Sequence, residues 1–247
     1  MNVKLIQVTQ NPIDVMWTAA RTCYSEKSPI EIWEDKYGKV SDGCDHSCEY
    51  VEECTEKHWN LVKTVLESGH ESIAEGVSFT FAIEGVSRSL MAQLTRHRAG
   101  VVFAIQSQRY VNFQGKAFNY VTPPTIDKKE EAQALYHDFM KLCKEKYDEL
   151  VSMGIPPEDA RYVLPNASCT NITMTINLRE LRHVCALRLC SRAQLEIRQL
   201  FQAIKKEVQK VDERLASLLV PTCEVLSYCP EHKGCGRKPS KNEIFKS

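Results

Sequence analysis

The chain opens on alternating apolar and polar positions. Val3–Val8 has the period of two expected of a half-buried strand, and Pro12 begins a helical pattern that runs through Met16, Ala19 and Ala20. From Ser25 to Cys54 the periodicity dissolves into charged, glycine- and cysteine-bearing sequence, which reads as a long loop or insertion. A helix over Glu56–Leu66 stops at Gly69, after which VSFTFAI, Val77–Ile83, is β-branched and aromatic enough for a buried strand. Ser87–Arg98 reads as a helix finishing in three basic residues, and Ser107–Val111 as extended chain. Asp127–Met153 carries a long amphipathic helical pattern that Gly154 stops. Pro156 and Pro157 start a helical turn, Thr170–Ile176 alternates as a strand, and Asn177–Leu219 is helical with a break near Ser191. Beyond Pro221 turn formers dominate, predicting an irregular tail.

Strands and helices mix without regular alternation, and no internal repeat is visible. The pattern predicts an α+β fold, a mixed or antiparallel sheet flanked by helices, rather than a doubly wound parallel sheet. A chain of 247 residues buries one sizeable core. Residues 1–220 are therefore read as one domain carrying the insertion at 25–54, and residues 221–247 as its tail.

Charge changes the picture by exclusion. Lysine plus arginine number 32 and aspartate plus glutamate 32, so no global positive field favours non-specific nucleic-acid binding. An anionic ligand must instead be met by a local basic cluster. The N-terminal segment lacks a signal pattern, and no apolar run approaches the roughly 20 residues that span a bilayer; the expectation is a cytoplasmic protein without membrane partners. Eleven cysteines, an odd count, argue for reduced thiols. Cys143, Cys169, Cys185 and Cys190 sit in apolar or helical stretches and read as small hydrophobes. Cys44, Cys48, Cys54 and His58 have the ligand chemistry of structural zinc, with His46 and the distant Cys223, Cys229, His232 and Cys235 as additional or competing ligands. Their spacing is looser than a zinc finger's, so no metal is assigned.

Three stretches carry candidate chemistry. RHRAGVVFAIQSQRY, Arg96–Tyr110, concentrates basic and hydroxyl-bearing side chains; Arg96, His97 and Arg98 would complement a helix C-terminus, while Ser107 and Arg109 would share one strand face and suit a phosphate. HESIAEG, His70–Gly76, offers His70, Ser72 and Glu75 between rigid elements, with Ser72 and Glu75 at capping-box spacing as the structural alternative. On the helix after Asn177, Arg179 and His183 share a face, whereas Arg188 lies nine positions beyond Arg179, on about the opposite side at roughly 100° per residue. Either the ligands are large or the two faces serve different sites across a subunit interface.

RHR followed by SQRY, together with GHES, FTFAIEGVSRSLMAQLTRHR, RYVLPNAS and NLRELRH…LRLCSRAQLEIR, resembles the ordered blocks of the flavin-dependent thymidylate synthases over roughly Met1–Ser217. That resemblance implies a ThyX-like fold and reductive methylation of dUMP to dTMP, with FAD as hydride carrier, NAD(P)H (NADPH or NADH) as reductant and 5,10-methylenetetrahydrofolate as carbon donor. It implies flavin contacts at His70, Ser72, Glu75, Arg96, His97, Arg98, Asn177, Arg179 and His183. It further implies a dUMP pocket of Gln93, Leu94, Thr95, Arg96, Ser107, Gln108, Arg109 and Arg161, with Arg188 as the catalytic group polarising the uracil ring. A homotetramer with shared active sites is implied too, and Ser107 falls to positioning rather than covalent attack. The sequence departs from the family pattern in one extra residue between Arg98 and Ser107, Val101 or Val102 where the first serine is usual, Gly76 in place of a histidine, and Ile105 in place of an acidic residue. The rival readings are a non-catalytic flavin- or nucleotide-binding relative and a nucleic-acid module. Neutral charge and few nearby aromatics weigh against the latter.

Overall fold

The structure, a computed structural model, describes residues 1–37 and 52–245. Four strands, β1 (Asn2–Val8), β2 (Ser78–Ser87), β3 (Val101–Ile105) and β4 (Cys169–Asn177), form one antiparallel sheet in the order β1-β2-β4-β3. Helices α1 (Pro12–Thr22), α2 (Pro29–Tyr37) and α3 (Glu52–Glu67) follow β1, and α4 (Arg88–Leu94) follows β2. Then come α5 (Pro124–Asp127), α6 (Glu130–Ser152) and α7 (Pro157–Ala160). After β4 stand α8 (Leu178–Arg188), α9 (Leu195–Val211), α10 (Glu213–Ser217), α11 (Thr222–Leu226) and α12 (Lys241–Ile244).

Alternation sets the sheet's two faces. Phe79, Phe81 and Ile83 of β2 and Ile172, Met174 and Ile176 of β4 are buried in one core with Leu181 and Val184 of α8 and Leu200, Phe201 and Ile204 of α9. The intervening positions, among them Thr173, Ala104 and Val102, face outward, and Val102 is 69% exposed. A buried carboxylate fixes α4: Glu196, at the start of α9, accepts from the Ser87 amide at 2.7 Å and the Ser87 hydroxyl at 2.6 Å, while the same hydroxyl caps α4 by accepting from the Leu90 amide at 3.0 Å.

The structure revises several boundaries. α4 ends at Leu94, so Arg96, His97 and Arg98 lie past the helix rather than in its last turn. The extended segment is Val101–Ile105, paired from Val101↔Ile176 to Ile105↔Ile172, and the chain turns at residues 108–110. Ser107 and Arg109 therefore do not share a strand face; the Ser107 hydroxyl accepts from the Arg109 amide at 3.1 Å. Pro29–Tyr37 is helical within the expected insertion. Ser72 and Glu75 do not form a capping box: a short 3-10 turn at Glu71–Ala74 has no side-chain cap. The helix expected across 177–219 is three pieces, and the tail carries two short helices. Cys44, His46 and Cys48 fall outside the described residues, as does the side chain of Cys54, while His58 is buried with Nδ1 2.6 Å from Asp14.

Candidate active site

β4 delivers the chain to Asn177, whose side chain accepts from the Glu180 amide at 2.9 Å and so caps α8. Across the ladder, the Asn177 amide donates to the Gly100 carbonyl at 2.9 Å. Gly100 has φ +65°, and a Cβ there would stand 2.5 Å from Asn177 Nδ2. This position needs glycine for both conformation and room. The result is a backbone cradle at one end of β3 and β4. Around it Glu71, Glu75, Arg179, Glu180 and His183 line a cleft of 650 Å³.

His97 is the hinge of the electrostatics. It is buried, and Arg188 Nε donates to its Nε2 at 3.1 Å. Because a guanidinium only donates, Nε2 must be the acceptor, and a neutral ring then carries its proton on Nδ1. Nδ1 faces Glu180 Oε1 at 3.5 Å. Burial first, then the charges of Arg188 and His183, push the His97 pKa down to about 4. Its contact with Glu180 is accordingly that of a neutral imidazole near pH 7. Burial also pushes the Glu180 carboxyl up, with His183 opposing.

Arg188 is half-buried, and its pKa is lowered by burial and then by the nearby Arg96 charge. It remains a cation. Among the described residues its two terminal nitrogens have no hydrogen-bond partner, and Arg96 and Arg98 have no side-chain partner. Three arginines thus stand available for an anionic ligand beside the cradle. Arg179 is differently placed: its guanidinium is paired with Glu75 and lies 3.8 Å from Glu71, and Arg182 reaches Glu71 at 3.1 Å. His97, Glu180 and His183 bring donor atoms within 4.8 Å of one another. With Arg188 donating to Nε2 and a proton on Nδ1, His97 is built to meet negative charge rather than a cation.

The remaining sequence-derived candidates separate into two groups. His70, Ser72 and Glu75 are exposed on the turn beside the cleft. Gln93 is half-buried, the Thr95 hydroxyl donates to the Met91 carbonyl at 3.0 Å, and Leu94 is 1% exposed in the core, leaving only its backbone to touch a ligand. Ser107, Gln108, Arg109 and Arg161 lie beyond the far end of β3. There Glu158 collects both arginines, Arg109 through its carboxylate at 3.0 Å and Arg161 through its carbonyl at 2.9 Å. Gly100 to Gln106 spans about 20 Å of extended chain, so the cradle and the Arg109–Arg161 cluster stand at opposite ends of β3. A larger groove of 830 Å³, with Gln106 and Gln108 in its wall, opens at that far end. Sequence reasoning missed Glu180 and Gly100. The signal for Gly100 was present as a glycine just ahead of an apolar run.

A sequence profile described as "Thymidylate synthase complementing protein" matches residues 4–212. The flavin-dependent thymidylate synthase of Geobacter sulfurreducens is 36% identical over 247 residues, covering 100% of this chain and 98% of that one. The chain belongs to the flavin-dependent thymidylate synthase family. That places it among methyltransferase enzymes. A flavin-dependent thymidylate synthase of Clostridium tetani is 37% identical, covering 99% of this chain and 97% of the relative. The fold agrees: ThyX from Helicobacter pylori, a structure complexed with FAD and dUMP, matches with TM-score 0.65 and 22% identity over 89% of this chain and 100% of that chain. A UMP/dUMP methylase, PolB from Streptomyces cacaoi, bound with 5-Br dUMP, matches with TM-score 0.69 and 22% identity over 88% and 93%. Among the described residues no helix is long and apolar enough to cross a membrane.

Proposed function

We propose that the chain converts dUMP to dTMP, taking the carbon from 5,10-methylenetetrahydrofolate and reducing equivalents from NAD(P)H through FAD. The observation that carries this reading is Arg188, fixed through Nε by a neutral, buried His97 and left with two free terminal nitrogens next to a glycine–asparagine cradle. When bound, FAD supplies the hydride chemistry that none of the side chains present can perform. Its anionic and hydrogen-bonding groups fit this donor set. Arg96, Arg98 and, once released from Glu75, Arg179 provide cations, Gly100 lets backbone approach closely, and His70, Ser72, Asn177 and His183 supply neutral polar contacts.

Arg188 has the substrate role. Its guanidinium stabilises negative charge that develops on the pyrimidine ring, and because His97 already orients it, little reorganisation is needed at that moment. Keeping His97 neutral matters, since an imidazolium would repel Arg188 and lose the acceptor at Nε2. Gln93, Leu94, Thr95 and Arg96 sit at the same end and form one wall of the dUMP pocket. Ser107, Gln108, Arg109 and Arg161 form the other wall from a second subunit, because within one chain they lie beyond the far end of β3, about 20 Å of strand from the cradle. A homotetramer with shared sites accounts for that separation, and for a sheet face that leaves Ile6 54% and Val102 69% exposed. In this reading residues 1–220 are the catalytic domain and residues 221–247 an extension. The eight described cysteines are all free thiols, which suits a reducing cytoplasmic setting.

The test is an absorbance spectrum of the purified protein followed by NADPH oxidation with and without dUMP and methylenetetrahydrofolate, quantifying dTMP. Flavin bands with folate-dependent dTMP are the expected outcome. Bound flavin without dTMP would point to a non-catalytic relative, and a protein that takes up no FAD would overturn the assignment.

A further inference from the structure

Away from the active site, the tail folds back against the end of α8 and encloses a small cavity of 70 Å³. Cys190, Cys223, Cys229 and Cys235 all line it, and all four are free thiols. These residues come from three separate stretches of chain, the loop after α8, α11 and the tail. Four of the eleven cysteines thus line one cavity. Cys190, just past the end of α8, is not the core-filling residue its apolar neighbours suggest.

Several independent features prepare the sulfurs for a cation. The Cys235 sulfur accepts from the Ser191 side chain and from the backbone amides of Arg237 and of Cys235 itself. Gly236, at φ +83°, gives the turn that brings the Arg237 amide back onto the sulfur. The Cys229 sulfur is embraced by the same loop, for a Cβ on Gly234 would stand 3.3 Å from it. Arg192, Arg237 and Lys238 line the cavity as well, the charge needed to offset a divalent ion carrying four thiolates.

The tail also lacks another means of holding its pose. From Glu224 to Phe245, Cys229 is the one buried residue among those described. Hydrophobic burial cannot fix such a segment, and short coreless stretches are ordinarily stapled by a crosslink or a metal. Its polar ties include Arg192 to the Lys233 carbonyl at 2.8 Å and to Glu231 at 3.4 Å, the Cys229 amide to the Pro239 carbonyl at 2.7 Å, and Lys238 to Glu224 at 3.0 Å, all at exposed or half-exposed positions save Cys229.

We propose that Cys190, Cys223, Cys229 and Cys235 bind one structural zinc ion that staples the C-terminal tail to the end of α8. Zinc replaces the thiol protons, which leave to solvent, and no redox change is involved. No three of these sulfurs yet lie within 4.8 Å of one another, as the one such donor group among the described residues is His97, Glu180 and His183. Tetrahedral coordination with Zn–S bonds of about 2.3 Å needs sulfurs about 3.8 Å apart. The loop at 230–236, with Gly234 and Gly236 in it, closes that gap.

The experiment is metal analysis of the full chain, expressed with zinc and freed of loosely held ions by gel filtration. About one zinc per chain is expected, falling to a small residue in Cys229→Ser and in Cys235→Ser. It should persist in Cys143→Ser and in the double variant Cys44→Ser/Cys48→Ser. On the unmodified protein, alkylation mapped by mass spectrometry should find the four thiols protected as isolated and reactive after chelation, a readout that stands even where a variant fails to fold. Zinc-free wild-type protein, zinc retained in both tail variants, unprotected Cys235, or disulfides among the four would each overturn the proposal.

Discussion

Replacing Gly100 by alanine tests the geometry of the cradle most directly. The new Cβ would sit 2.5 Å from Asn177 Nδ2 and 2.8 Å from its Cγ and Oδ1, and Asn177 is a side chain that can swing away. The clash is therefore relieved at the expense of the cap on α8, the 2.9 Å bond from the Glu180 amide to Asn177 Oδ1, a loss of about 1 kcal/mol. Holding an L residue at φ +65° costs about 1–2 kcal/mol more. Gly100→Ala should thus lose about 2–3 kcal/mol, against about 1 kcal/mol for Asn177→Ala. The double variant should match Gly100→Ala alone, because the cap is lost only once. Its shortfall from additivity, about 1 kcal/mol, is the signature of the contact. Urea unfolding of the four proteins measures the cycle, and FAD titration should show Gly100→Ala binding more weakly than Asn177→Ala. Strict additivity, or a Gly100→Ala protein within about 0.5 kcal/mol of the parent, would refute the cradle.

Three other outcomes rest on the same site and its supports. Arg188→Ala should keep FAD but lose about 10²–10³ in turnover, the usual scale for a preorganised transition-state donor, measured as dTMP formed per flavin; parent-like turnover removes Arg188 from the chemistry. His97 has its pKa lowered from 6.5 to about 4 by burial and then by Arg188 and His183. The unfolded chain thus binds the extra proton first as pH falls, and the stability present above 6.5 is lost progressively down through about 4, up to about 3 kcal/mol. His97→Asn should flatten that slope in urea midpoints taken across the range. Finally, Glu196→Ala leaves the buried Ser87 amide and hydroxyl without their acceptor and should destabilise by about 2–4 kcal/mol, read by thermal or urea unfolding; a change near zero would mean that the Ser87 amide and hydroxyl find other acceptors.

The core was legible because local pattern and burial agree there: Val3–Val8 and Thr170–Ile176 fall within observed strands, and VSFTFAI does so from Ser78 onward. β3 was misplaced because its identity is not local. Both VVFAI and SQRYV can be extended, and what selects the former is a non-local ladder, Val101↔Ile176 to Ile105↔Ile172, with a partner strand far along the chain. The same limit governs the site. Helical spacing correctly sets Arg179 and Arg188 on different faces, yet it cannot show that His97, from a loop before β3, reaches along α8 from Glu180 to Arg188. Nor can spacing show that Cys190 shares a cavity with Cys235, since a cysteine at the end of a helical run looks like core until the helix is seen to stop at Arg188. The residue types with chemistry to offer were visible in sequence, whereas their partners were fixed by β4. That strand sets Asn177 beside Gly100 at one end of β3, while Glu158 gathers Arg109 and Arg161 beyond the other. On the proposed assignment, a site that uses both clusters is completed by another copy of the chain. Mixing Arg188→Ala protomers with Arg161→Ala protomers should therefore restore part of the activity that each lacks alone, and no restoration in verified mixed oligomers would place both arginines in one subunit's site.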